Sequence, residues 1–327
     1  MKWYVTLLIG GCSLVVSLVT TLILIPKLRD AGIVGRDVNK AGQPEVAEMG
    51  GLAVVSGFGA GALLAVGMVT FLPVMTTVNY VYLLAVLCTV LLTTMIGVVD
   101  DLLGIRQWVK AFLPLVAALP LVAVQIGRTW MELPLIGRVE FGIFYPLILV
   151  PLGVTGAANA LNMLAGFNGL ELGMGLMAMG SLAVVAASVG RATSLALLVA
   201  GSGAMLGTLP FNWYPAKVFV GDVGTLSMGA IIAASVMIGG FQAAGVIVII
   251  PYVADFVLKA LHGFPSKGWA GELGQDGKLR CPVQGPVSLP QLIMKLTGGV
   301  SEQALVLILI GIEAVFGAIA IILYARL

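Results

Sequence analysis

Long uninterrupted stretches of apolar residues constrain the fold of this chain more than any other feature. A helix needs about 20 apolar residues to cross a bilayer, and segments of about that length recur along the whole sequence. They lie at about 4–26, 50–72, 80–99, 108–126, 142–160, 169–189, 193–210, 218–239, 243–262 and 303–325. The sequence therefore predicts an all-α polytopic membrane protein with about ten transmembrane helices, in one domain comprising residues 1–327.

The composition agrees with a membrane protein and excludes several other classes. Hydrophobic residues make up 60% of the chain and charged residues only 10%, whereas soluble proteins average about 25% charged residues. The net charge of +2 is too small to suggest nucleic-acid binding. Cys12, Cys88 and Cys281 are odd in number and scattered, so they predict no disulfide framework. A single histidine, His262, excludes a metal site built from several histidines.

The distribution of positive charge predicts the orientation in the membrane. The first apolar segment is longer than a signal-peptide core and has no small-residue cleavage pattern, so we expect a retained transmembrane helix. Ten crossings would place both termini on one side. In or beside the loops of the opposite side lie 12 of the 17 basic residues: Lys27, Arg29, Arg36, Lys40, Arg106, Lys110, Lys217, Lys259, Lys267, Lys278, Arg280 and Lys295. Since cytoplasmic loops carry the excess of Lys and Arg, both termini are predicted to be extracytoplasmic.

One stretch on the predicted outer side alternates between apolar and polar residues. Residues 128–141 have the sequence "RTWMELPLIGRVEF". Such alternation around a turn is typical of a β-hairpin. We expect a short external hairpin here.

Acidic residues gather at the ends of apolar segments on the predicted cytoplasmic side. Asp100 and Asp101 end one segment, and Lys110 lies near the start of the next. Adjacent side chains on a helix point about 100° apart, so this pair could flank a metal–phosphate cluster from two directions; a solvated pair at a helix end is the alternative. Asp222 lies near the start of another segment, where the helix dipole alone would explain it and where a metal-bound phosphate could also be anchored.

Three asparagines in "ANALNMLAGFNGLELG" interrupt the apolar pattern. Asn159 and Asn162 share one helix face, and Asn168 follows Gly166 in the turn before the next helix. Amide oxygens suit Mg²⁺, but hydrogen bonding between helices explains them equally well. Phe219 offers a planar surface for a base, although aromatic residues at the membrane interface commonly form a belt.

Three segments, taken together and in this order, resemble a known family. "VVDDLLGIR", "NALNMLAGFNGLELG" and "NWYPAKVFVGDVGTLSMG" are similar to the signature segments of the polyprenyl-phosphate N-acetylhexosamine-1-phosphate transferases. The resemblance covers nearly the whole chain. It is strongest to the eukaryotic and archaeal branch, the UDP-N-acetylglucosamine–dolichyl-phosphate N-acetylglucosaminephosphotransferases, because bacterial branches tend to carry a DG-x-DGL pattern where this chain has AGFNGL.

The resemblance implies a reaction, a cofactor and a location. The expected enzyme moves N-acetylglucosamine-1-phosphate from UDP-GlcNAc to a dolichyl or undecaprenyl phosphate and releases UMP, the first membrane step of lipid-linked glycan synthesis. It implies Mg²⁺, with Mn²⁺ as the alternative, and a multi-pass protein of the cell membrane in a prokaryote or the endoplasmic reticulum in a eukaryote. Members often form homodimers. Another UDP-N-acetylhexosamine, or UDP-MurNAc-pentapeptide, is the alternative donor.

The resemblance also assigns roles to individual residues. It implies that Asn162 and Asp222 are Mg²⁺ ligands, that Asp100 and Asp101 are the acidic pair of the active centre, and that Lys110 is the basic residue beside the phosphates. It also implies that Glu48 is an acid beside the catalytic centre and that Asn159 lines that centre. The implied uridine pocket consists of Gly166, Asn168 and Phe219. His262 and Lys267 belong to the sugar-recognition loop. That loop lacks the arginines that flank a histidine in eukaryotic relatives, so the sugar is implied less firmly than the reaction.

A secondary transporter is the main competing class, because polar residues within membrane helices often mark a substrate pathway. Transporter sites lie near the middle of the bilayer. Here the polar residues gather at predicted helix ends, which favours an enzyme that acts on a lipid headgroup.

Overall fold

A computed structural model of the protein describes residues 1–72, 77–127, 129–133, 137–265 and 268–325. Within these ranges the chain forms helices and three two-stranded hairpins. The helices are α1 Trp3–Asp30, α2 Gly51–Phe71, α3 Tyr80–Leu103, α4 Gln107–Ala117, α5 Leu119–Ala123, α6 Val150–Met163, α7 Leu170–Ser188, α8 Ala192–Asn212, α9 Gly221–Gly239, α10 Gln242–Leu261, α11 Leu289–Thr297 and α12 Glu302–Tyr324. A π-helical turn, Tyr145–Leu149, leads directly into α6.

The predicted membrane architecture is confirmed, with one correction to the number of spans. In the described part of the chain, nine helices are long and apolar enough to cross a bilayer. The remaining predicted span, 108–126, is instead divided at Ala118 into the shorter helices α4 and α5. Pro120 lacks the N–H that would continue the hydrogen-bond ladder of α4, which explains the division. The protein is therefore a multi-pass integral membrane protein whose described residues include nine candidate spans and this shorter apolar segment.

The divided segment nevertheless extends along the full length of α9. Near its start, Lys110 contacts Asp222 in the first turn of α9. Just beyond its end, Gly127 packs against the carbonyl of Met237 in the last turn of α9. The segment thus runs from one end of the bundle to the other.

The predicted hairpin within residues 128–141 is also confirmed. Strands β3 (Trp130–Leu133) and β4 (Gly137–Glu140) pair in antiparallel fashion, while Arg128 and the turn residues 134–136 lie outside the described residues. Two further hairpins were not predicted, and both lie at the end of the bundle that carries Asp222: β1 (Val34–Arg36) with β2 (Glu45–Ala47), and β5 (Glu272–Leu273) with β6 (Leu279–Arg280). Helix α11, which lies between α10 and α12, was also not predicted.

Helix α9 forms the centre of the bundle. It is the most buried of the nine candidate spans and packs against α3, α6, α8 and α2. Glycines permit this packing: a Cβ at Gly97 of α3 would come within 2.4 Å of the Val223 nitrogen, and a Cβ at Gly229 would come within 2.5 Å of the Ala158 Cα. Lipid supplies no hydrophobic force between helices, so their association depends on such close contact.

The start of α9 is held among the ends of several other segments. Phe219 donates its N–H to the Ala47 carbonyl (2.7 Å), and Gly51 donates to the Val220 carbonyl (2.8 Å). Asp101, near the end of α3, accepts the N–H of Asp222 (3.1 Å). The polar residues predicted at these helix ends therefore meet at one end of the bundle.

We expect Gly229→Ala to lower thermal stability, because the new methyl would collide with the α6 backbone. Overpacking of this kind costs about 1–3 kcal/mol. The matched control is Gly180→Ala, since a Cβ at Gly180 meets no atom within 4 Å. Unfolding of both variants is followed by circular dichroism in detergent micelles. Equal melting temperatures for the two variants would contradict the proposed tightness of the α6–α9 contact.

Candidate active site

A cavity of about 890 Å³ opens at the end of the bundle where α9 begins. Its wall combines charged residues with aromatic and aliphatic ones. Seven of the twelve site residues predicted from the sequence line it: Glu48, Lys110, Asn159, Asn162, Gly166, Phe219 and Asp222. A charged cavity of this size can accommodate a ligand with polar and apolar parts.

Lys110 is the centre of the charged cluster in this cavity. Its ammonium lies 2.6 Å from Asp100 Oδ2 and also contacts Asp222 Oδ2. All three side chains are largely buried. A buried charge is costly unless it is paired, so each member of this cluster depends on the others.

Asn162 completes the cluster from the last turn of α6. With its amide nitrogen facing α9, as the hydrogen-bond network requires, it donates to Asp222 Oδ1 (2.8 Å) and its oxygen accepts from Lys110 Nζ (3.1 Å). The side chains of α3, α4, α6 and α9 thus converge on one point. The structure therefore brings Asp100, Lys110, Asn162 and Asp222 together, and all four were predicted as site residues.

Asp100 and Asp101 are adjacent but bind different partners. Asp100 contacts Lys110 and accepts the N–H of Ile105 (2.6 Å). Asp101 instead accepts the N–H groups of Asp222 (3.1 Å) and Val223 (3.3 Å). A carboxylate suits the free N–H groups at a helix N-terminus. Asp101 therefore fixes the turn that presents Asp222 to the cavity, and neither aspartate of the pair lines the cavity itself.

Glu48 and Phe219 form the side of the cavity next to β1. A Cβ at Gly35 would lie 3.2 Å from the Phe219 ring and 3.3 Å from Glu48 Oε2, so glycine at position 35 allows both to approach the strand. Burial raises the pKa of the Glu48 carboxyl, and the negative charge of Asp101 raises it further.

Gly166 is held in an unusual conformation by contacts on both of its backbone groups. Its φ of +108° lies in a region that favours glycine. Its N–H donates to Glu171 Oε1 (2.6 Å), and its carbonyl accepts from Asn39 Nδ2 (2.9 Å). A Cβ at this position would lie 2.2 Å from the Trp269 ring. No side chain other than hydrogen fits beneath that ring.

Asn168 lies behind this turn and does not line the cavity. It is almost fully buried. Its side-chain oxygen accepts from Lys40 Nζ (2.6 Å) and the Ala216 N–H (2.7 Å), and its nitrogen donates to Asp37 Oδ2 (3.0 Å). Its backbone N–H donates to Glu302 Oε1 (2.8 Å). The amide thus joins the β1–β2 loop, the turn before α7 and the start of α12.

The three remaining predicted positions differ in their placement. Asn159 lines the cavity, and its side-chain nitrogen donates to the carbonyls of Ala111 and Thr155, both at 2.9 Å. His262 is exposed at the end of α10, beside the carbonyl of Leu258, and does not line the cavity. Lys267 lies outside the described residues.

Several polar residues of the cavity wall were not predicted as site residues, among them Arg36, Glu171 and Lys259. One signal was available for Lys259. It is four residues from Asp255 within an apolar segment, a spacing that places both charges on one helix face. A charged pair within a membrane helix is costly and therefore points to a function.

This fold and cavity define a multi-pass integral membrane protein with a charged ligand site at its helix ends. The chain belongs to glycosyl transferase family 4, whose sequence profile matches residues 83–240, and it is therefore a membrane transferase. A Saccharolobus solfataricus protein named "Putative UDP-N-acetylglucosamine--dolichyl-phosphate N-acetylglucosaminephosphotransferase" is 37% identical over 95% of this chain and 94% of its own length.

Bacterial relatives are similar over shorter regions. "Probable undecaprenyl-phosphate N-acetylglucosaminyl 1-phosphate transferase" of Bacillus subtilis is 30% identical over 70% of this chain and 63% of its own length. "Phospho-N-acetylmuramoyl-pentapeptide-transferase" of Streptococcus thermophilus is 32% identical over 45% of this chain and 46% of its own length. The resemblance found in the three signature segments is therefore confirmed.

We expect Glu48 to make stability depend on pH. Because its pKa is raised, the folded protein binds this proton more tightly than the unfolded chain. Stability therefore falls as pH rises from the ordinary glutamate value of 4.5 to the raised pKa. Glu48→Gln cannot ionise, so its melting temperature should gain on wild type across that window. Glu45→Gln, at an exposed position three residues earlier, is the control. A Glu48→Gln difference that stays constant with pH would contradict this prediction.

Proposed function

We propose that the protein transfers N-acetylglucosamine-1-phosphate from UDP-GlcNAc to a polyprenyl phosphate and releases UMP. An oxygen of the lipid phosphate attacks the phosphorus that carries the sugar, and the bond from that phosphorus to the bridging oxygen of UMP breaks. The observation that carries the proposal is the convergence of Asp100, Lys110, Asn162 and Asp222 at the end of a large cavity. The names of the relatives support the substrates.

The chemistry requires little proton transfer but strong control of charge. The second pKa of a phosphate monoester is near 6, so the acceptor is mostly dianionic at pH 7. The barrier lies in bringing two polyanions together in line, and fixed positive charge and orientation lower it. Lys110 supplies such a charge. We therefore propose one direct displacement without a phospho-enzyme, in which Asp100 holds Lys110 and Asp101 holds the start of α9.

The donor atoms around Lys110 fit Mg²⁺. Carboxylate oxygens of Asp100 and Asp222 and the amide oxygen of Asn162 surround a single positive charge, that of the ammonium. Among the described residues no cluster of three or more His, Cys, Asp or Glu side chains is suited to a metal. Mg²⁺ typically takes one or two protein carboxylates together with substrate phosphates. Asn162 and Asp222 would hold the ion, which supplies charge neutralisation on the donor pyrophosphate when bound; Mn²⁺ is the alternative.

The remaining wall suits a nucleotide and a lipid. Phe219 offers a ring for the uracil, and the turn at Gly166 lets the backbone approach the nucleoside. We propose that Asn168 acts from behind this turn, because its polar atoms are engaged within the protein. Trp108, Phe256 and Phe264 line the cavity and are exposed, which provides apolar surface for the polyprenyl chain. His262 and Lys267 remain proposed contacts of the sugar loop.

We also propose that residues 1–327 form one catalytic domain and that the site faces the cytoplasm. Helices α4 and α5 together would make a tenth crossing, supported by their course along the full length of α9. Both termini would then be extracytoplasmic, and the basic loops cytoplasmic. The position of the charged cluster at the helix ends argues against a transporter, whose site would lie near the middle of the membrane.

We expect Asp222→Asn and Asn162→Ala each to reduce UMP release about 100-fold or more, since losing one group that stabilises transition-state charge typically costs this much. The assay follows UMP production from UDP-GlcNAc and a polyprenyl phosphate as Mg²⁺ is varied. Asp276→Asn, on an exposed pair outside the cavity, is the control. Near wild-type rates for either variant at all Mg²⁺ concentrations would refute the proposed metal ligands.

A donor panel tests the sugar. With one polyprenyl phosphate, we expect UMP release from UDP-GlcNAc to exceed release from UDP-GalNAc and UDP-MurNAc-pentapeptide by at least about tenfold. This expectation follows the name of the relative that matches 95% of the chain. A preference for UDP-MurNAc-pentapeptide would support the alternative donor. Absence of UMP release from all three would refute the proposed function.

A further inference from the structure

Lys259 of α10 occupies a position in the cavity wall that the proposed chemistry has not yet used. It is 8% exposed, and it lines the cavity. Its ammonium lies 2.7 Å from Asp255 Oδ2, one helical turn earlier, and donates to the Met163 carbonyl at the end of α6. Asp255 is fully buried. The lysine is thus held in a fixed position, and its partner Met163 directly follows Asn162 in the chain.

The hydrogen-bond capacities of the two cavity lysines differ. An ammonium group has three donors. Those of Lys110 face Asp100, Asp222 and Asn162, so in this structure all three are engaged within the protein. Lys259 faces only Asp255 and the Met163 carbonyl among the described residues. One donor of Lys259 is therefore left over on a side chain whose small exposed fraction belongs to the cavity wall.

The charged residues of the cavity wall indicate what this donor binds. Asp37, Glu48, Glu171 and Asp222 line the wall, and three basic residues oppose them: Arg36, Lys110 and Lys259. Lys110 is already shared between two acids and an amide, and Arg36 is exposed on the surface hairpin, whereas Lys259 has one acidic partner among the described residues. An anionic ligand entering this acidic cavity needs a cation held in a fixed place. Lys259 meets that condition.

We propose that Lys259 binds a phosphate oxygen of the nucleotide-sugar donor through its remaining N–H group. This inference rests on the proposed function and extends it to a specific contact. Asp255 is the positioning residue: its second oxygen accepts the N–H of Leu289 at the start of α11 (2.8 Å), which orients the carboxylate. The pair therefore links phosphate binding to the segment that follows α10.

The test measures ligand binding without turnover, using the full-length protein in detergent. The probes are UDP-GlcNAc, UDP and uridine, titrated calorimetrically against wild type and the double variant Asp255→Asn/Lys259→Met, which removes both members of the pair and leaves no unpaired buried charge. We expect binding of UDP-GlcNAc and UDP to weaken about tenfold or more, as for loss of a hydrogen bond to a charged group. Uridine should bind as tightly as to wild type.

Asp276→Asn/Arg280→Met is the matched control, because this pair has the same spacing of four residues but is exposed and lies outside the cavity. It should bind all three probes like wild type. If Asp255→Asn/Lys259→Met does not fold, Asp255→Asn/Lys259→Gln is measured instead, because glutamine keeps a donor for the Met163 carbonyl.

Two results would separate this inference from the proposed function. Unchanged binding of UDP-GlcNAc and UDP by a folded double variant would overturn the role of Lys259 and leave the proposed function intact. An equal loss for uridine would also overturn it, because the pair would then shape the whole pocket. Failure of the wild-type protein to bind UDP-GlcNAc or UDP would instead refute the proposed function, and the inference with it.

Discussion

The charge of Lys110 holds together the end of the bundle on which the cavity depends. It stands between Asp100 of α3 and Asp222 of α9, two carboxylates that would otherwise repel each other in a region of low dielectric. Asn162 brings α6 to the same point. The close packing of α9 against α3 and α6 places these residues within reach. The ion cluster then fixes how the helix ends are arranged.

A second charged cluster fixes another part of the cavity wall. Lys40 contacts Asp37, Asn168 and Glu302, which come from the β1–β2 loop, the turn before α7 and the start of α12. This cluster is largely buried. It holds the turn that carries Gly166, whose backbone groups bond Glu171 and Asn39. Two clusters, each with one lysine between two acidic residues, thus hold the proposed metal site and the proposed nucleoside pocket in place.

Hydropathy predicted the membrane architecture because the bilayer imposes one length on every crossing helix. In the described part of the chain, nine candidate spans agree with the prediction within a few residues. The prediction of one continuous span at 108–126 was wrong, because hydropathy does not register the missing N–H of Pro120, which divides the segment. The hairpin β1–β2 was missed since three-residue strands leave little pattern, yet it carries Gly35 and Arg36 to the cavity.

The site residues also divide into those that could be predicted from the sequence and those that could not. Asp100, Lys110, Asn162 and Asp222 could be predicted because charges and amides at the ends of apolar segments are costly without a partner. Spacing could not show that Asp101 turns toward the α9 backbone while Asp100 turns toward Lys110, since that depends on which helix packs beside each. Asn168 and His262 were predicted as site residues, but neither lines the cavity. Only the packing of several helices distinguishes a residue that lines the site from one that supports it.

The same distinction explains why the cavity requires a basic residue beyond the central one. A lysine that stabilises the ends of α3, α4 and α9 has its hydrogen-bond donors committed to two acids and an amide. It contributes electrostatic potential to a ligand, but it can form a direct bond only by releasing one of these partners. A lysine held by a single buried acid and a helix carbonyl keeps a donor available without disturbing the bundle. Separating the cation that organises the protein from the cation that contacts the ligand lets one cavity be both stable and able to bind an anion.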